Sequence, residues 1–237
     1  MALFRNLGPF STTAIGHGEM PLTIENNRGH EVGIETLHAS LDAGCRHIDT
    51  AWAYYCSGGE EQTGEKLVRE ALETWKGPKD EVLVATKVGH FRNFTDGRPT
   101  WDVDGRPENL IRRGKESALA LGVDTIDLLY FHRPDPKVPY NESVEAIKQL
   151  VDEGVAQEAG ISNAPSSKST LRAAFWATSS WPCKTSTRRF TWRPRTRSTT
   201  APRLAWPSCA GARSAATVIP MMRPSSTRSA RSRRPTA

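Results

Sequence analysis

The chain has 237 residues, 24% of them charged, and a formal net charge of +6, which leaves room for one large domain or two small ones. The charge is unevenly spread: residues 1–167 carry −9, residues 168–237 carry +15, and no Asp or Glu follows Glu158. Four cysteines (Cys45, Cys56, Cys183, Cys209) without CxxC pairing or regular spacing do not suggest a disulfide framework or a zinc site; a polar start without a signal-peptide core, and no run near the ~20 apolar residues of a bilayer span, predict a cytoplasmic protein with no metal and no membrane partner.

Ala14-Ile15-Gly16 reads as a short first strand. A helix is predicted over 31–43 from Ile34, Leu37 and Leu41 on one face, stopped by Gly44. Arg46 to Asp49 is a strand, and 61–75 a helix carrying Leu67, Val68, Ala71, Leu72 and Trp75. Glu81 to Lys87 holds the continuous apolar run Val82-Leu83-Val84, which suits a strand buried on both faces of a parallel sheet. Pro107 fits the first turn of the next helix, whose inner face is Leu110, Ile111, Ala118 and Leu121. Ile126 to Phe131 is a strand, 141–153 a helix closed by Gly154, and Ala156 to Ser162 a strand. The βαβαβαβαβ order argues an α/β fold with a parallel sheet, and polar residues at the strand C-termini favour a barrel over a doubly wound sheet.

Those strand ends carry chemistry. Asp49 and Tyr54 follow the second strand, Lys87 ends the third, and His132 follows the fourth. Reducing a carbonyl needs a proton donor at oxygen as hydride reaches carbon, and a phenol is too weak an acid unless a cation favours its phenolate. Lysine supplies that cation, aspartate holds the lysine, and histidine orients the substrate oxygen. Taken singly, each has a blander reading: Asp49 a cap, Lys87 a solvated strand end, His132 a turn residue, Tyr54 core, Ser162-Asn163 a cap.

Taken in order, the strings His47-Ile48-Asp49-Thr50-Ala51-Trp52-Ala53-Tyr54, Ala85-Thr86-Lys87-Val88-Gly89, Leu128-Leu129-Tyr130-Phe131-His132-Arg133-Pro134 and Gly160-Ile161-Ser162-Asn163 resemble the aldo-keto reductases. The resemblance runs from about Leu7 to Ser167. It implies a (β/α)8 TIM barrel, truncated here after about five strands, that reduces aldehydes or ketones with NADPH. It makes Tyr54 the general acid, Lys87 the cation that depresses its pKa, Asp49 the partner of Lys87, and His132 the residue that orients a small carbonyl substrate. Gly18 and Met20 fall in the first-strand loop that approaches the nicotinamide; Ser162 and Asn163 match the pair that holds its carboxamide. The residues around Trp52, Trp101 and Asp135 are expected at the mouth.

Residues 1–167 are therefore expected to be the N-terminal part of such a barrel, and residues 168–237 an irregular Arg/Ser/Thr/Pro-rich tail rather than a domain. Gly211 is the tail's only glycine, so the family's glycine-rich phosphate loop is missing and impaired activity is expected. Acid-free enrichment in Arg, Ser, Thr, Pro and Ala is what a GC-rich gene yields when read out of frame, and a frameshift is placed between about Leu171 and Trp176. Two other readings rank below: a non-catalytic binding protein on the same scaffold, and a nucleic-acid-binding protein using Arg and interleaved Trp of the tail, which lacks a recognised motif.

Overall fold

The computed structural model describes residues 3–163. The proposed tail, 168–237, and its boundary at 167 lie outside them.

Five strands form one parallel sheet in the order β3 (His17–Gly18), β4 (His47–Asp49), β5 (Leu83–Val88), β8 (Ile126–Phe131), β9 (Ala156–Ile161). Helices α1 (His30–Asp42), α2 (Thr63–Thr74), α3 (Pro107–Leu121) and α4 (Tyr140–Asp152) connect them, as the alternating pattern predicts. Each helix buries the stripe its periodicity marks: Leu37 and Leu41 on α1, Leu67, Val68 and Ala71 on α2, Ile147, Leu150 and Val151 on α4. Pro107 opens α3, and Gly122 at φ 70° closes it in the left-handed conformation that glycine adopts without a Cβ clash.

The side-chain period of two along each strand separates two apolar layers. Ile48, Leu129 and Phe131 point outward and pack with Leu37, Leu67, Leu110 and Leu150 of the helices. Leu83, Ala85, Leu128 and Tyr130 point to the inner face, where Leu7 and Phe10 cover them. These last two belong to an antiparallel hairpin of β1 (Phe4–Leu7) and β2 (Phe10–Thr13), which the sequence reading did not foresee. Complete burial of a Leu or Phe side chain contributes about 1.5–3 kcal/mol, so both layers matter to stability.

Ala14-Ile15-Gly16 is not a strand. Thr13 Oγ1 donates to the Ile15 carbonyl at 2.8 Å and bends the chain there, and Ile15 is 82% exposed with no apolar face to join. The first parallel strand instead comes two residues later, where His17 and Gly18 pair with Ile48 and Asp49. Likewise Glu81 ends a 3-10 turn (Lys79–Glu81), and β5 begins at Leu83.

A second unforeseen hairpin, β6 (His90–Thr95) and β7 (Arg98–Val103), leaves the end of β5 and turns at Asp96 (φ 51°) and Gly97 (φ 72°). Positive φ at both central residues is the geometry that matches strand twist in a two-residue turn, and Asp-Gly is suited to it. No described helix is long and apolar enough to cross a membrane.

Candidate active site

The same period of two that builds the layers aims the polar strand ends. Lys87 follows Leu83 and Ala85 on the inner face of β5, and His132 follows Leu128 and Tyr130 beyond β8. Asp49, flanked by outward Ile48, ends β4 on that face, and Tyr54 reaches it from the turn that follows. The four predicted residues are brought together at one end of the sheet.

Lys87 is the hub. Its ammonium donates to an Asp49 carboxylate oxygen, to the Thr50 carbonyl at 2.7 Å and to the Tyr54 hydroxyl at 3.1 Å. An ammonium has three donors, and all three are used. Burial alone would depress this lysine, but Asp49 and then Tyr54 more than reverse it and hold Lys87 above the ordinary range. His132 stands edge-on to Tyr54, ring centroids 5.9 Å apart. Burial, then the charges of Lys87, His90 and Arg133, keeps His132 well below the usual histidine value, so its imidazole is neutral at pH 7.

One expectation is met only in direction. Lys87 does pull the Tyr54 phenol downward, but burial pushes harder the other way, and the phenol stands above the ordinary tyrosine value. The cation offsets desolvation rather than producing a strongly acidic phenol.

Gly18 pairs with Asp49 in the β3–β4 register, and a Cβ at Gly18 would meet no atom within 4 Å, so the space over it is open. Met20 opens a 3-10 turn (Met20–Leu22) and is half-buried; no hydrogen bond among the described residues joins its side chain to the four. Ser162 donates its backbone N–H to the Phe131 carbonyl at 2.9 Å. Asn163, at φ 57°, turns its Nδ2 back to the His132 carbonyl at 3.1 Å and to Ser162 Oγ at 2.9 Å.

Of the three residues named near the mouth, Trp101 alone lays its side chain against the tetrad; Trp52 meets it only through its backbone N–H, which donates to the Lys87 carbonyl at 3.0 Å. Trp101 lies edge-to-face against Tyr54 at 6.3 Å, tilted against His90 at 5.7 Å, with the Arg92 guanidinium 3.9 Å over its ring. Trp52 is 1% exposed beneath α3, where its Nε1 donates to Glu116 at 3.1 Å and Arg113 covers its ring. Asp135 is a loop staple that accepts the N–H groups of Gly105 at 3.0 Å and Lys137 at 2.8 Å.

Sequence reasoning missed Glu19, Glu65 and His90. His90 is packed on His132 with centroids 4.4 Å apart, and burial, then Arg133, lowers it to about 4. Glu19 and Glu65 are both 0% exposed and are pushed up to about 7 by burial. The signal for Glu65 was a charge three residues before Val68, on the buried stripe of α2. No group of three or more His, Cys, Asp or Glu among the described residues is arranged to hold a metal.

The profile of the Aldo/keto reductase family matches residues 14–187, twenty residues beyond Ser167. The chain belongs to that family. It is 35% identical over 148 residues to the aldo-keto reductase YhdN of Bacillus subtilis (strain 168), covering 60% of this chain and 40% of that protein. It is 32% identical over 176 residues to the aldo-keto reductase str7 of Strobilurus tenacellus, covering 71% and 47%. The chain thus spans about half the length of the curated relatives it matches. Solved structures similar to it include the glycerol dehydrogenase AKR11B4 of Gluconobacter oxydans (TM-score 0.61, 27% identity, 72% of this chain and 51% of that one). Another is the holo form of the aldo-keto reductase AKR11C1 of Bacillus halodurans (TM-score 0.58, 26% identity, 76% and 55%).

Proposed function

We propose that residues 3–163 carry the proton-donating half of an NADPH-dependent reductase acting on aldehydes or ketones. The observation that carries this reading is the single ammonium of Lys87 joined at once to Asp49, Thr50 and Tyr54 on the inner face. A reduced nicotinamide, when bound, supplies hydride to the carbonyl carbon. Tyr54 gives its phenolic proton to the carbonyl oxygen, completing the alcohol, and Lys87 stabilises the phenolate left behind. Asp49 keeps Lys87 charged and in place. Neutral His132 orients the carbonyl oxygen through a ring N–H. The open space over Gly18 and the polar atoms of Ser162 and Asn163 fit the nicotinamide end of the cofactor.

The residues that would grip the phosphates are not among those described, and the composition of 168–237 does not supply them. We therefore read the 237-residue chain as an impaired form in which the frame changes near Leu171–Trp176. The family match to residue 187 widens the stretch in which that change is sought. Sequencing the coding DNA across codons 165–190 tests it: an inserted or deleted base is expected, and an intact frame refutes it. The activity reading is tested by following oxidation of NADPH with an aromatic aldehyde. Turnover is expected from a frame-restored protein and not from the 237-residue chain. Absence of turnover in the restored protein refutes the reading.

A further inference from the structure

Two of the residues that alternate with the tetrad point the other way, towards α2, and are polar among apolar neighbours. Thr50 follows Asp49 and Thr86 precedes Lys87; both are 0% exposed. Each hydroxyl donates to a buried carboxylate, Thr50 to Glu19 Oε2 at 2.8 Å and Thr86 to Glu65 Oε1. Glu19 is fixed further by the Thr23 hydroxyl at 2.5 Å and by its own N–H on the Asp49 carbonyl at 2.9 Å. Gln62 Nε2 donates to the other oxygen of Glu65 at 3.1 Å. A Cβ at Gly64 would lie 2.5 Å from Glu19 Oε2, so the first turn of α2 closes directly on that carboxylate.

Two fully buried carboxyl groups in a largely apolar layer are an expensive way to fill space. Their position relative to Lys87 gives them a use. Thr50 supplies the carbonyl on Lys87 Nζ, and Thr86 is the residue before Lys87. If the Thr50 peptide tilted, the ammonium would lose an acceptor; if the Thr86–Lys87 peptide tilted, the lysine stem would be re-aimed and the ammonium could swing away from the phenol.

We propose that Glu19 and Glu65 are positioning residues that act through the hydroxyls of Thr50 and Thr86 to hold Lys87 against Tyr54. The proposal rests on the tetrad reading given above.

The full 237-residue chain serves for the test, with its four tyrosines replaced biosynthetically by a difluorinated analogue whose phenol ionises near neutral pH. Fluorine NMR then follows position 54, identified by the resonance lost in Tyr54→Phe. The groups that bear on this phenol are Lys87, Asp49 and Glu19, with the rings of His132 and Trp101 packed on it. Lys87→Met is expected to raise its midpoint by at least about one pH unit. Thr50→Val and Thr86→Val, which keep shape and lose the hydroxyl, are expected to raise it by about half a unit, a roughly threefold change in ionisation constant. Thr50→Ser is expected to restore the wild-type midpoint. Thr12→Val removes another buried hydroxyl, one that donates to the Arg46 carbonyl at 2.6 Å before β4, and is expected to cost stability without moving the midpoint.

If Lys87→Met leaves the midpoint in place, the tetrad reading falls. If Lys87→Met raises it while Thr50→Val and Thr86→Val do not, the positioning role alone is overturned. Where valine at position 50 prevents folding, Thr86→Val and Glu65→Gln carry the same expectation, and a wild-type midpoint in both overturns the proposal.

Discussion

The Tyr54 hydroxyl accepts a 3.1 Å hydrogen bond from Lys87 rather than donating one to it. The phenolic proton is therefore not consumed in holding the tetrad together and is left to be given elsewhere. In a frame-restored protein, Tyr54→Phe should lower carbonyl reduction by roughly 10²–10⁴-fold while cofactor binding changes little, because the phenol acts on the carbonyl oxygen in the transition state. Steady-state kinetics beside a cofactor titration checks this; loss of binding with turnover preserved would reverse the assignment.

Asp49→Asn should be costly even without substrate. Lys87 is nearly fully buried, with 4% side-chain exposure, and loses its charge partner. Removing one member of a buried pair leaves an uncompensated charge, and about 3 kcal/mol of destabilisation is expected. Asp152→Asn, which breaks the more exposed Lys148–Asp152 pair on α4, should cost less than about 0.5 kcal/mol. Urea denaturation of the two variants gives the contrast.

Stability should fall as pH rises through neutrality. Glu19 and Glu65 stand at about 7 in the folded chain against 4.5 for a free carboxyl. The folded state therefore binds more protons between those values. Their contribution is fully present below 4.5, declines as pH rises through about 7, and is flat above. Each group alone corresponds to a loss on the order of 3 kcal/mol, with the two titrating as a coupled pair. Glu65→Gln should flatten the slope of unfolding free energy measured from about pH 4.5 to about pH 8.

The β6–β7 hairpin is fastened by an ion pair between Arg92 and Glu25, and Glu25 also accepts the Ser57 N–H at 2.7 Å. Arg92, first of all, holds the Glu25 carboxyl down at about 2. Glu25→Gln should loosen the hairpin by about 1–2 kcal/mol and speed chymotryptic cleavage after exposed Phe94 roughly tenfold. Unchanged cleavage would mean that the Arg92–Trp101 stack alone holds it.

The parallel strands were legible because Val82-Leu83-Val84 and Ile126 to Phe131 are apolar runs too short for helices, and the tetrad because its members end successive strands. The hairpins were not, although Gly8-Pro9 and Asp96-Gly97 mark both turns; their strands are polar on one side and too short to alternate clearly. Trp52 and Trp101 could not be separated from composition. Whether a tryptophan lies under α3 or beside Tyr54 depends on Arg113, which covers Trp52 from a distant helix, and on Arg92, which covers Trp101 from the opposite strand of a hairpin the sequence did not reveal. Glu65 was hidden because a carboxylate among Leu67, Val68 and Ala71 reads as a flaw in the stripe until its partner Thr86 is known.

The inward twist of Asn163 has a consequence for polarity. Its two amide hydrogens are committed to the His132 carbonyl and to Ser162 Oγ, which leaves the Asn163 oxygen as an acceptor and the Ser162 hydrogen as a donor, side by side. Such a couplet is readable in one orientation only. A primary amide laid on it satisfies both atoms by presenting its NH2 to Asn163 and its C=O to Ser162. An amide turned end for end sets like against like, as does a carboxylate in its place. The handedness with which a planar ring meets the inner face would then be decided by one backward-folded side chain at the end of β9.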